Sequence, residues 1–333
     1  MNNQNLQKAV DLINKSTSIL ITTHVKVDGD AAGCCAAMSE SLSTLGKKVQ
    51  ILFLSPLPQW YGFLFADPVP VLGKDLSKEQ LLQGTLGRFD LVIIVDTNSR
   101  SQLPEFDEYL KQKTAPVLVI DHHKTADGLG DVELVDSASA AASAVVLDLF
   151  KFARWPLTPK IAQALFTGIA TDTGWFHFNN TDAAVLRTCA ELAGAGAKTS
   201  QIFHNVYHNF SPQRFRLMTA MQNTLGLHFD GRFATQHLSR QDFKTTGAKD
   251  EDTENLIDEC QRIASVEVAA LFVELPDGRI RCSLRNRGTV DVCKIAAKFG
   301  GGGHTSAAGA YLPGPVEKAK QTILDLVKSQ LDI

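Results

Sequence analysis

Aspartate and histidine side chains occur in four clusters whose chemistry suits hard metal ions. The clusters lie in the segments THVKVDGDAAG, VIIVDTNSR, VIDHH and ATDTGWF. Their polar side chains are His24, Asp28, Asp30, Asp96, Asp121, His122, His123 and Asp172. Carboxylates with one or two imidazoles and no thiolate suit Mn²⁺ or Mg²⁺ better than structural zinc. Four aspartates in one crevice would repel one another, so their convergence argues for more than one divalent cation.

Three of these clusters follow short apolar runs that are typical of β-strands. The runs are SILITTH (18–24), RFDLVIIVD (88–96) and PVLVIDHH (116–123). Each is nearly all apolar and they alternate with helical patterns, which predicts a parallel sheet covered on both faces. Ligands of such sheets bind beyond the carboxyl ends of the strands. Asp172 instead ends a helical pattern at 159–174, so tertiary packing must bring it to the other clusters.

The helical patterns of the first part also lie at 31–46, 103–113, 137–153 and 182–196. From residue 226 the pattern changes to hairpins, with Asp230-Gly231 and Asp277-Gly278 at the turns. A GGGG run at 300–303 and a last helix at 316–331 follow. We therefore predict an α/β domain at 1–195, a linker helix at 196–224 and a smaller α+β domain at 225–333.

Composition narrows the function classes. The 333 residues carry 33 basic and 36 acidic side chains, a net charge of −3, which argues against long duplex DNA as a partner. The six cysteines form no CxxC pair and predict free thiols in a reducing compartment. Without a signal-like start or an apolar run of about 18 residues, we expect a cytoplasmic protein with no membrane partner. A homodimer is one of the oligomeric states that the sequence allows.

Each clustered residue also has an ordinary structural explanation. An aspartate after a strand is commonly a helix cap or a turn residue, and a single histidine such as His24 is often buried in a core. Taken together, at successive strand ends and with matching chemistry, the residues favour a metal site.

The glycine run GGGGHTSAAG (300–309) lacks the Gly-Lys-Ser/Thr ending of a P-loop. Successive glycines can turn several backbone N–H groups toward an anion, and His304 beside them adds a hydrogen bond. Arg285 and Arg287 are close enough in the sequence for a bidentate phosphate contact. The alternative is a glycine hairpin that serves tight packing alone. Arg100, four residues after Asp96, is a further candidate phosphate ligand.

Other candidate sites are weaker. His204 and His208 have helical i, i+4 spacing, but HNVYH lacks the glutamate of an HExxH zinc motif. No GxSxG element supports a nucleophilic serine. The aromatic segment WYGFLF (60–65) is suited to stacking a base, yet it favours a hydrophobic cluster.

The sequence resembles the DHH phosphoesterase superfamily, in its branch with a DHHA1 domain. HVKVDGDAAG is similar to the first family motif, Asp96 lies at the second, DHH at 121–123 is the third, and ATDTGWF the fourth. SLRNRG (283–288) and GGGGHTSAAG resemble the two DHHA1 signatures. The resemblance implies an α/β domain joined by a linker helix to the DHHA1 domain, with the active site in the cleft between them.

By motif position, the resemblance implies two Mn²⁺ ions, with Mg²⁺ as the alternative. One would be held by His24, Asp28 and Asp96, and the other by Asp30, Asp96, His122 and Asp172. His123 would face the scissile phosphate and Asp121 would orient its neighbours. The substrate contacts would come from Arg285, Gly301, Gly302, Gly303 and His304. Val27, Cys34 and Asn286 depart from the family pattern, and none of these departures removes a metal ligand.

Two ions about 4 Å apart, bridged by Asp96 and a water, would produce a hydroxide that attacks phosphorus in line. The leading hypothesis is a phosphoesterase whose substrates are short oligoribonucleotides, hydrolysed to mononucleotides, and/or 3′-phosphoadenosine 5′-phosphate (pAp). The alternatives are a linear or cyclic dinucleotide phosphodiesterase, a RecJ-like single-strand exonuclease and a pyrophosphatase-like enzyme. A nucleotide- or RNA-binding module without catalysis would be expected to lack one of the six ligands, and all six are present.

Overall fold

The computed structural model describes residues 2–112, 115–208, 210–303 and 305–331. The chain folds as two compact units, Met1–Asn209 and Phe210–Ile333, here called the N-terminal unit and the C-terminal unit. Each unit is built on one sheet with helices packed against it. The α/β class with a parallel N-terminal sheet and a smaller α+β unit is therefore confirmed.

The described part of the N-terminal unit contains five strands and eight α-helices. The strands are β1 (Ser18–Thr22), β2 (Lys48–Ile51), β3 (Leu91–Val95), β4 (Val117–Asp121) and β5 (Val132–Val135). The helices are α1 (Asn3–Lys15), α2 (Gly29–Thr44), α3 (Lys78–Leu82), α4 (Phe106–Gln112), α5 (Ala142–Ala153), α6 (Pro159–Asp172), α7 (Ala183–Gly194) and α8 (Thr199–Tyr207). All strand pairs are parallel, in the order β2-β1-β3-β4-β5.

Alternate side chains of the central strands face two different cores. Ile93 and Val95 of β3 pack in the core shared with α1, α2, α5 and α6. Val92 and Ile94 of the same strand pack in the core that contains Phe106 of α4. The sheet is thus covered on both faces, which explains why its central strands β3 and β4 are almost entirely apolar and buried.

The C-terminal unit has six strands and four α-helices among its described residues. The strands are β6 (Gly226–His228), β7 (Phe233–Leu238), β8 (Val268–Glu274), β9 (Arg279–Asn286), β10 (Gly302–Gly303) and β11 (Ala307–Pro313). The helices are α9 (Pro212–Gln222), α10 (Arg240–Thr246), α11 (Val292–Ala297) and α12 (Val316–Lys328). The sheet order is β10-β11-β9-β8-β7-β6, antiparallel except between β7 and β8, and both predicted hairpins are present.

Two predicted helices differ from the structure. The single linker helix predicted at 196–224 is two helices, α8 and α9. Pro212 begins the second helix, a position at which the N–H that proline lacks would have no partner within the helix. Ser211 caps this helix, with its side-chain oxygen accepting from Arg214 N at 3.0 Å. Helix α5 begins at Ala142 rather than at 137, because residues 137–140 form a turn and Ala141 is extended. The boundaries assigned at 195 and 225 stay a prediction.

The six cysteines carry free thiols and five of them are buried, as small apolar side chains would be. Trp60 and Tyr61 of the aromatic segment are buried in the N-terminal core, as expected of a hydrophobic cluster. Across the described ranges, none of the helices combines the length and the apolarity that crossing a bilayer requires.

Candidate active site

The clustered polar residues of the N-terminal unit meet where the central strands end. His24 follows β1, Asp96 directly follows β3, and Asp121 is the last residue of β4. Because β1, β3 and β4 are parallel neighbours, their carboxyl ends lie at one edge of the sheet. Local sequence pattern therefore predicts the convergence of these three segments correctly.

Helix packing brings the remaining carboxylates to the same edge. Asp28 caps the start of α2, with its Oδ1 accepting from Asp30 N and Ala31 N at 3.0 Å. Asp172 ends α6, which packs closely against α2. This packing needs small residues, because a Cβ at Gly29 would overlap the side chain of Thr171 and a Cβ at Gly33 would lie 3.0 Å from Gly168 N.

Asp96 lies at the centre of the polar cluster. Its Oδ2 is 3.3 Å from His24 Nε2 and its Oδ1 is 3.6 Å from His122 Nε2. The residue is 2% exposed and its φ is 60°, a left-handed conformation that turns the chain at the end of β3. Among the described residues, Oδ1 has no hydrogen-bond partner, which is costly for a buried carboxylate oxygen unless a cation meets it.

The ligand-type atoms form three groups, in each of which they lie within 4.8 Å of one another. The groups are His24, Asp28 and Asp96; Asp30, His122 and Asp172; and Asp96, His122 and His123. All six predicted metal ligands are therefore brought together, and His123 is added to them. The first two groups divide these residues as the resemblance implied, although Asp96 groups with His122 through the third.

The two histidines at the centre have their other ring nitrogen engaged. His24 Nδ1 is 2.7 Å from Val25 O and His122 Nδ1 is 3.2 Å from Ser139 O. Since a carbonyl oxygen only accepts, Nδ1 must donate in both rings, which gives Nε2 the lone pair in the neutral form. Such carbonyl partners orient metal-binding histidines in proteins. Nothing in the sequence indicated Ser139 for this role.

Asp30 contacts the start of α5 through both carboxylate oxygens. Oδ2 accepts from Ala142 N at 2.5 Å and Oδ1 from Ser143 N at 2.9 Å. The residue before α5, Ala141, offers no side-chain cap, so Asp30 satisfies amides that a cap would otherwise meet. Asp30 is 1% exposed, and Cys34 Sγ lies 3.7 Å from its Oδ1. No local sequence pattern indicated this contact, whose partners are 112 residues apart.

The carboxyl groups influence one another's protonation. Burial, together with the charges of Asp30 and Asp28, raises the pKa of Asp96 well above its usual range. The same causes raise the pKa of Asp172 to about 8, and burial above all raises the pKa of Asp30. Carboxyl groups held in this way favour protons or cations as counter-charges.

Asp121 positions the two following histidines. Its Oδ1 accepts from His122 N at 2.8 Å, from His123 N at 3.2 Å and from His123 Nδ1 at 2.8 Å. Burial alone would raise the pKa of Asp121, but these hydrogen bonds and the His123 charge lower it. The side-chain hydrogen bond between Asp121 and His123 Nδ1 raises the pKa of His123. Asp121 is fully buried and does not belong to any of the three ligand groups.

The predicted phosphate ligands outside the cluster have varied surroundings. Arg100 Nη1 donates to Asp107 Oδ1 at 2.6 Å, and the side chain is part-exposed. Arg285 Nε donates to Asp258 Oδ1 at 3.0 Å. Their roles in substrate binding stay predictions.

The bidentate phosphate contact expected of Arg285 and Arg287 is not supported, because the Arg287 guanidinium donates to backbone carbonyls. Nε bonds Val266 O at 2.6 Å, and the two terminal nitrogens bond the carbonyls of Gln261, Ile263 and Ala264 at 2.6–2.9 Å. These bonds hold the loop before β8. Arg287 is thus a structural residue and does not form a phosphate fork with Arg285.

The glycine run forms the edge hairpin β10–β11. Gly302 pairs with Gly309 and Gly303 with Ala308. A Cβ at Gly301 would overlap Gly309 O, and Gly303 has a φ of 139°. Tight packing therefore explains two of the three glycines, whereas a Cβ at Gly302 would meet open space. His304, the fourth predicted contact in this run, lies outside the described residues.

The family described as DHH family, N-terminal domain, matches residues 18–169, and the DHHA1 domain matches residues 232–332. The bifunctional oligoribonuclease and PAP phosphatase NrnA of Thermus thermophilus is 33% identical, over 94% of this chain and 90% of that protein. The protein of the same name from Mycoplasma pneumoniae is 28% identical, over 97% of this chain and 94% of its own length.

A solved structure supports the same fold. An exopolyphosphatase-related protein from Bacteroides fragilis matches with a TM-score of 0.92 and 21% identity, over 98% of this chain and 96% of that one.

Proposed function

Because the chain belongs to the DHH family and carries its DHHA1 domain, we propose that it is a divalent-metal-dependent phosphoesterase acting on short oligoribonucleotides and pAp. The first substrate would be hydrolysed to mononucleotides and the second at its 3′-phosphate. The similarity to two bifunctional oligoribonuclease and PAP phosphatases over nearly the full length supports this substrate class.

One observation carries the proposal that metal ions are required. Six carboxylate and imidazole side chains converge around Asp96, whose buried Oδ1 has no hydrogen-bond partner among the described residues. Oxygen and nitrogen donors without thiolates fit Mn²⁺ or Mg²⁺. His24, Asp28 and Asp96 would hold one ion, and Asp30, Asp96, His122 and Asp172 the other. Bound ions would supply Lewis-acid polarisation of the phosphoryl group and activation of water.

The remaining side chains would position and stabilise the reacting phosphate. His123 would donate a hydrogen bond from Nε2 to a phosphoryl oxygen in its protonated form, which the Asp121 carboxylate at Nδ1 favours by raising the pKa of His123. Hydrolysis forms a bond from the water oxygen to phosphorus and breaks the bond from phosphorus to the ribose oxygen, which takes up a proton. Arg285 and the β10–β11 hairpin would bind a phosphate of the substrate, and we infer no covalent enzyme intermediate.

The test is a comparison of substrates with purified, EDTA-treated protein to which Mn²⁺ or Mg²⁺ is returned. We expect hydrolysis of a ribodinucleotide, a ribopentanucleotide and pAp only when a divalent ion is present, with Mn²⁺ the better ion. Preferred hydrolysis of pyrophosphate, of a long DNA strand or of a cyclic dinucleotide would favour the corresponding alternative. Full activity in EDTA would contradict the metal requirement.

A further inference from the structure

A cleft of about 510 Å³ in the N-terminal unit is lined by none of the predicted metal ligands. Its lining residues are Trp175, Thr199, Ser200, Phe203, His204 and His208. Trp175 follows the end of α6, and the other residues belong to α8 or directly follow it. Trp175 and Phe203 are half-buried and form the floor of the cleft. The other four residues are exposed and form its polar rim.

The rings of Trp175 and Phe203 form this floor, and Tyr207, which does not line the cleft, packs against both of them. The Trp175 and Phe203 ring centroids are 4.9 Å apart at an interplanar angle of 62°. Tyr207 lies 5.0 Å from Phe203 and 5.7 Å from Trp175. Edge-to-face packing of this kind holds rings in fixed orientations. A fixed aromatic floor is the platform on which proteins stack planar heteroaromatic groups such as nucleobases.

The rim offers hydrogen-bonding groups for the edge of such a group. Thr199 and Ser200 are in the first turn of α8, whose N-cap residue Lys198 makes no side-chain hydrogen bond to the helix. The first-turn amides of a helix have no partner within it, so this end of α8 offers donors. His204 and His208 add imidazole nitrogens. An apolar cleft with a few polar groups is the usual form of a small-molecule site.

A metal ion does not explain the two histidines. His204 and His208 have perpendicular rings with centroids 6.0 Å apart. Among the described residues, neither belongs to a group of three ligand-type side chains. The absence of a third ligand agrees with the missing glutamate of HNVYH.

The chain connects this cleft directly to the polar cluster. Only three residue steps separate Trp175 from Asp172, so their Cα atoms are at most about 11 Å apart. Gly174, Trp175 and Phe176 all have φ between 56° and 70°. Two successive aromatic residues in this region are strained. The turn is held by Trp175 N, which donates to Ala170 O at 2.6 Å, and it turns the chain from α6 to the cleft.

We propose that this aromatic cleft binds a nucleobase of the substrate whose phosphate is hydrolysed beside Asp172. The inference rests on the proposed function and deepens it, since it names the nucleobase as a recognised part of the substrate. A base-free phosphate ester or pyrophosphate would gain nothing from the cleft. Stacking on an aromatic side chain typically changes affinity by about tenfold or more for each base.

The kinetic test compares a ribodinucleotide with two abasic analogues, each lacking one base, in the presence of Mn²⁺. Phe203→Leu keeps an apolar side chain and removes the ring. We expect it to lower kcat/KM for the intact dinucleotide about tenfold, mainly through KM. The kcat/KM of the abasic analogue that lacks the base bound in the cleft should be unchanged. Phe215→Leu, at an exposed phenylalanine that does not line the cleft, is the matched control and should change neither substrate.

A binding test needs no catalysis. Adenosine, which carries no phosphate, should quench tryptophan fluorescence saturably in the EDTA-treated protein, whereas ribose should not. Trp175→Phe should remove that quench while Trp60 and Trp155 remain. Saturable quenching without hydrolysis of any dinucleotide would support the cleft and contradict the proposed function. Equal losses on intact and abasic substrates, or quenching that survives Trp175→Phe, would overturn the cleft as a base site.

Discussion

Asp96 is the side chain on which the candidate site depends most. Its two oxygens face different histidines, at 3.3 Å from His24 Nε2 and 3.6 Å from His122 Nε2. Both histidines donate through Nδ1 to carbonyls, so in the neutral form each presents a lone pair to a carboxylate. Two acceptors facing one another repel unless a proton or a cation lies between them. That arrangement argues for cations more strongly than the residue types alone.

Asp96→Asn should abolish turnover and also the stabilisation by metal. A ligand that binds only the folded protein stabilises it by about 2.7 kcal/mol at a concentration 100 times its Kd. We therefore expect Mn²⁺ to raise the Tm of the wild type and not of the variant. In EDTA the variant should melt no lower than the wild type, because a buried charge is removed from a cluster of carboxylates.

The control for this variant is Asp90→Asn, which changes the aspartate at the other end of β3. Asp90 accepts from Thr17 N at 2.8 Å and from Ser18 N at 2.9 Å, so its loss should lower the Tm in EDTA. The Mn²⁺-dependent rise in Tm should survive. A full metal-dependent rise in Asp96→Asn would contradict the role of Asp96 as a ligand.

Asp121→Asn should separate positioning from metal binding. The amide loses the charge that holds His123 Nδ1 at 2.8 Å, while the Nε2 atoms of His24 and His122 remain. Loss of such a positioning partner typically costs about 10–100-fold. We expect kcat to fall in this range with the Mn²⁺-dependent rise in Tm retained, measured by steady-state kinetics and thermal melts.

The matched comparison is His123→Gln and the double variant. If Asp121 acts through His123, the double variant should lose no more activity than the worse single variant. Additive losses would show that the two residues act independently.

Close packing of α2 on α6 determines the geometry of the site at the level of secondary structure. Asp28 and Asp30 begin α2 and Asp172 ends α6, so the relative position of two helices sets three carboxylates at once. Gly33 and Gly168 allow the helix backbones to approach, and Asp30 ties the same assembly to the start of α5. Small residues here serve the site without touching substrate.

Gly168→Ala should therefore weaken both the fold and the metal site. A Cβ at this position would overlap Ser143 Oγ and lie 2.6 Å from Asp30 Oδ1. Overpacking of this kind costs about 1–3 kcal/mol in the free energy of unfolding. We expect a lower midpoint in urea and weaker binding of Mn²⁺ by titration calorimetry.

Gly194→Ala is the control for the same substitution in a helix. A Cβ there meets nothing within 4 Å, so we expect a gain in stability of up to about 1 kcal/mol and unchanged Mn²⁺ affinity. Equal effects of the two substitutions would rule out the packing argument.

The molecule as a whole consists of two units with separate cores, and the candidate ligands lie in only one of them. All six predicted metal ligands belong to the N-terminal unit. The C-terminal unit contributes Arg285 and the glycine hairpin, both of which we propose to act on substrate. This division predicts that changes in the C-terminal unit affect substrate affinity without affecting metal binding.

Arg285→Gln tests the division. A hydrogen bond to a charged group is worth about 1.5–3 kcal/mol, so KM for a dinucleotide should rise about tenfold or more. Both kcat and the Mn²⁺-dependent rise in Tm should be unchanged. Arg279 is on the same strand, and its partner Asp277 is in the hairpin turn. Arg279→Gln should leave KM for the dinucleotide unaltered. A loss of the metal-dependent rise in Arg285→Gln would disprove the separation.

Residue pattern alone predicted many of the elements and much of the candidate site. Apolar runs located the strands carrying the polar residues of β1, β3 and β4, because strand periodicity and strand ends are local properties of the chain. Parallel strands then place those ends at one edge. The Asp-Gly turns likewise predicted both hairpins of the C-terminal unit. In these cases neighbouring residues contain the information.

Tertiary structure decided what depends on contacts between distant segments. It paired Asp30 with the start of α5, brought Asp172 to α2, selected the ring nitrogen that His122 presents, and assigned the guanidinium of Arg287 to four carbonyls. The partners in the Asp30 contact are 112 residues apart. Periodicity and spacing describe one segment at a time. They do not contain the side-chain volumes and directions that determine which distant groups meet in the folded chain.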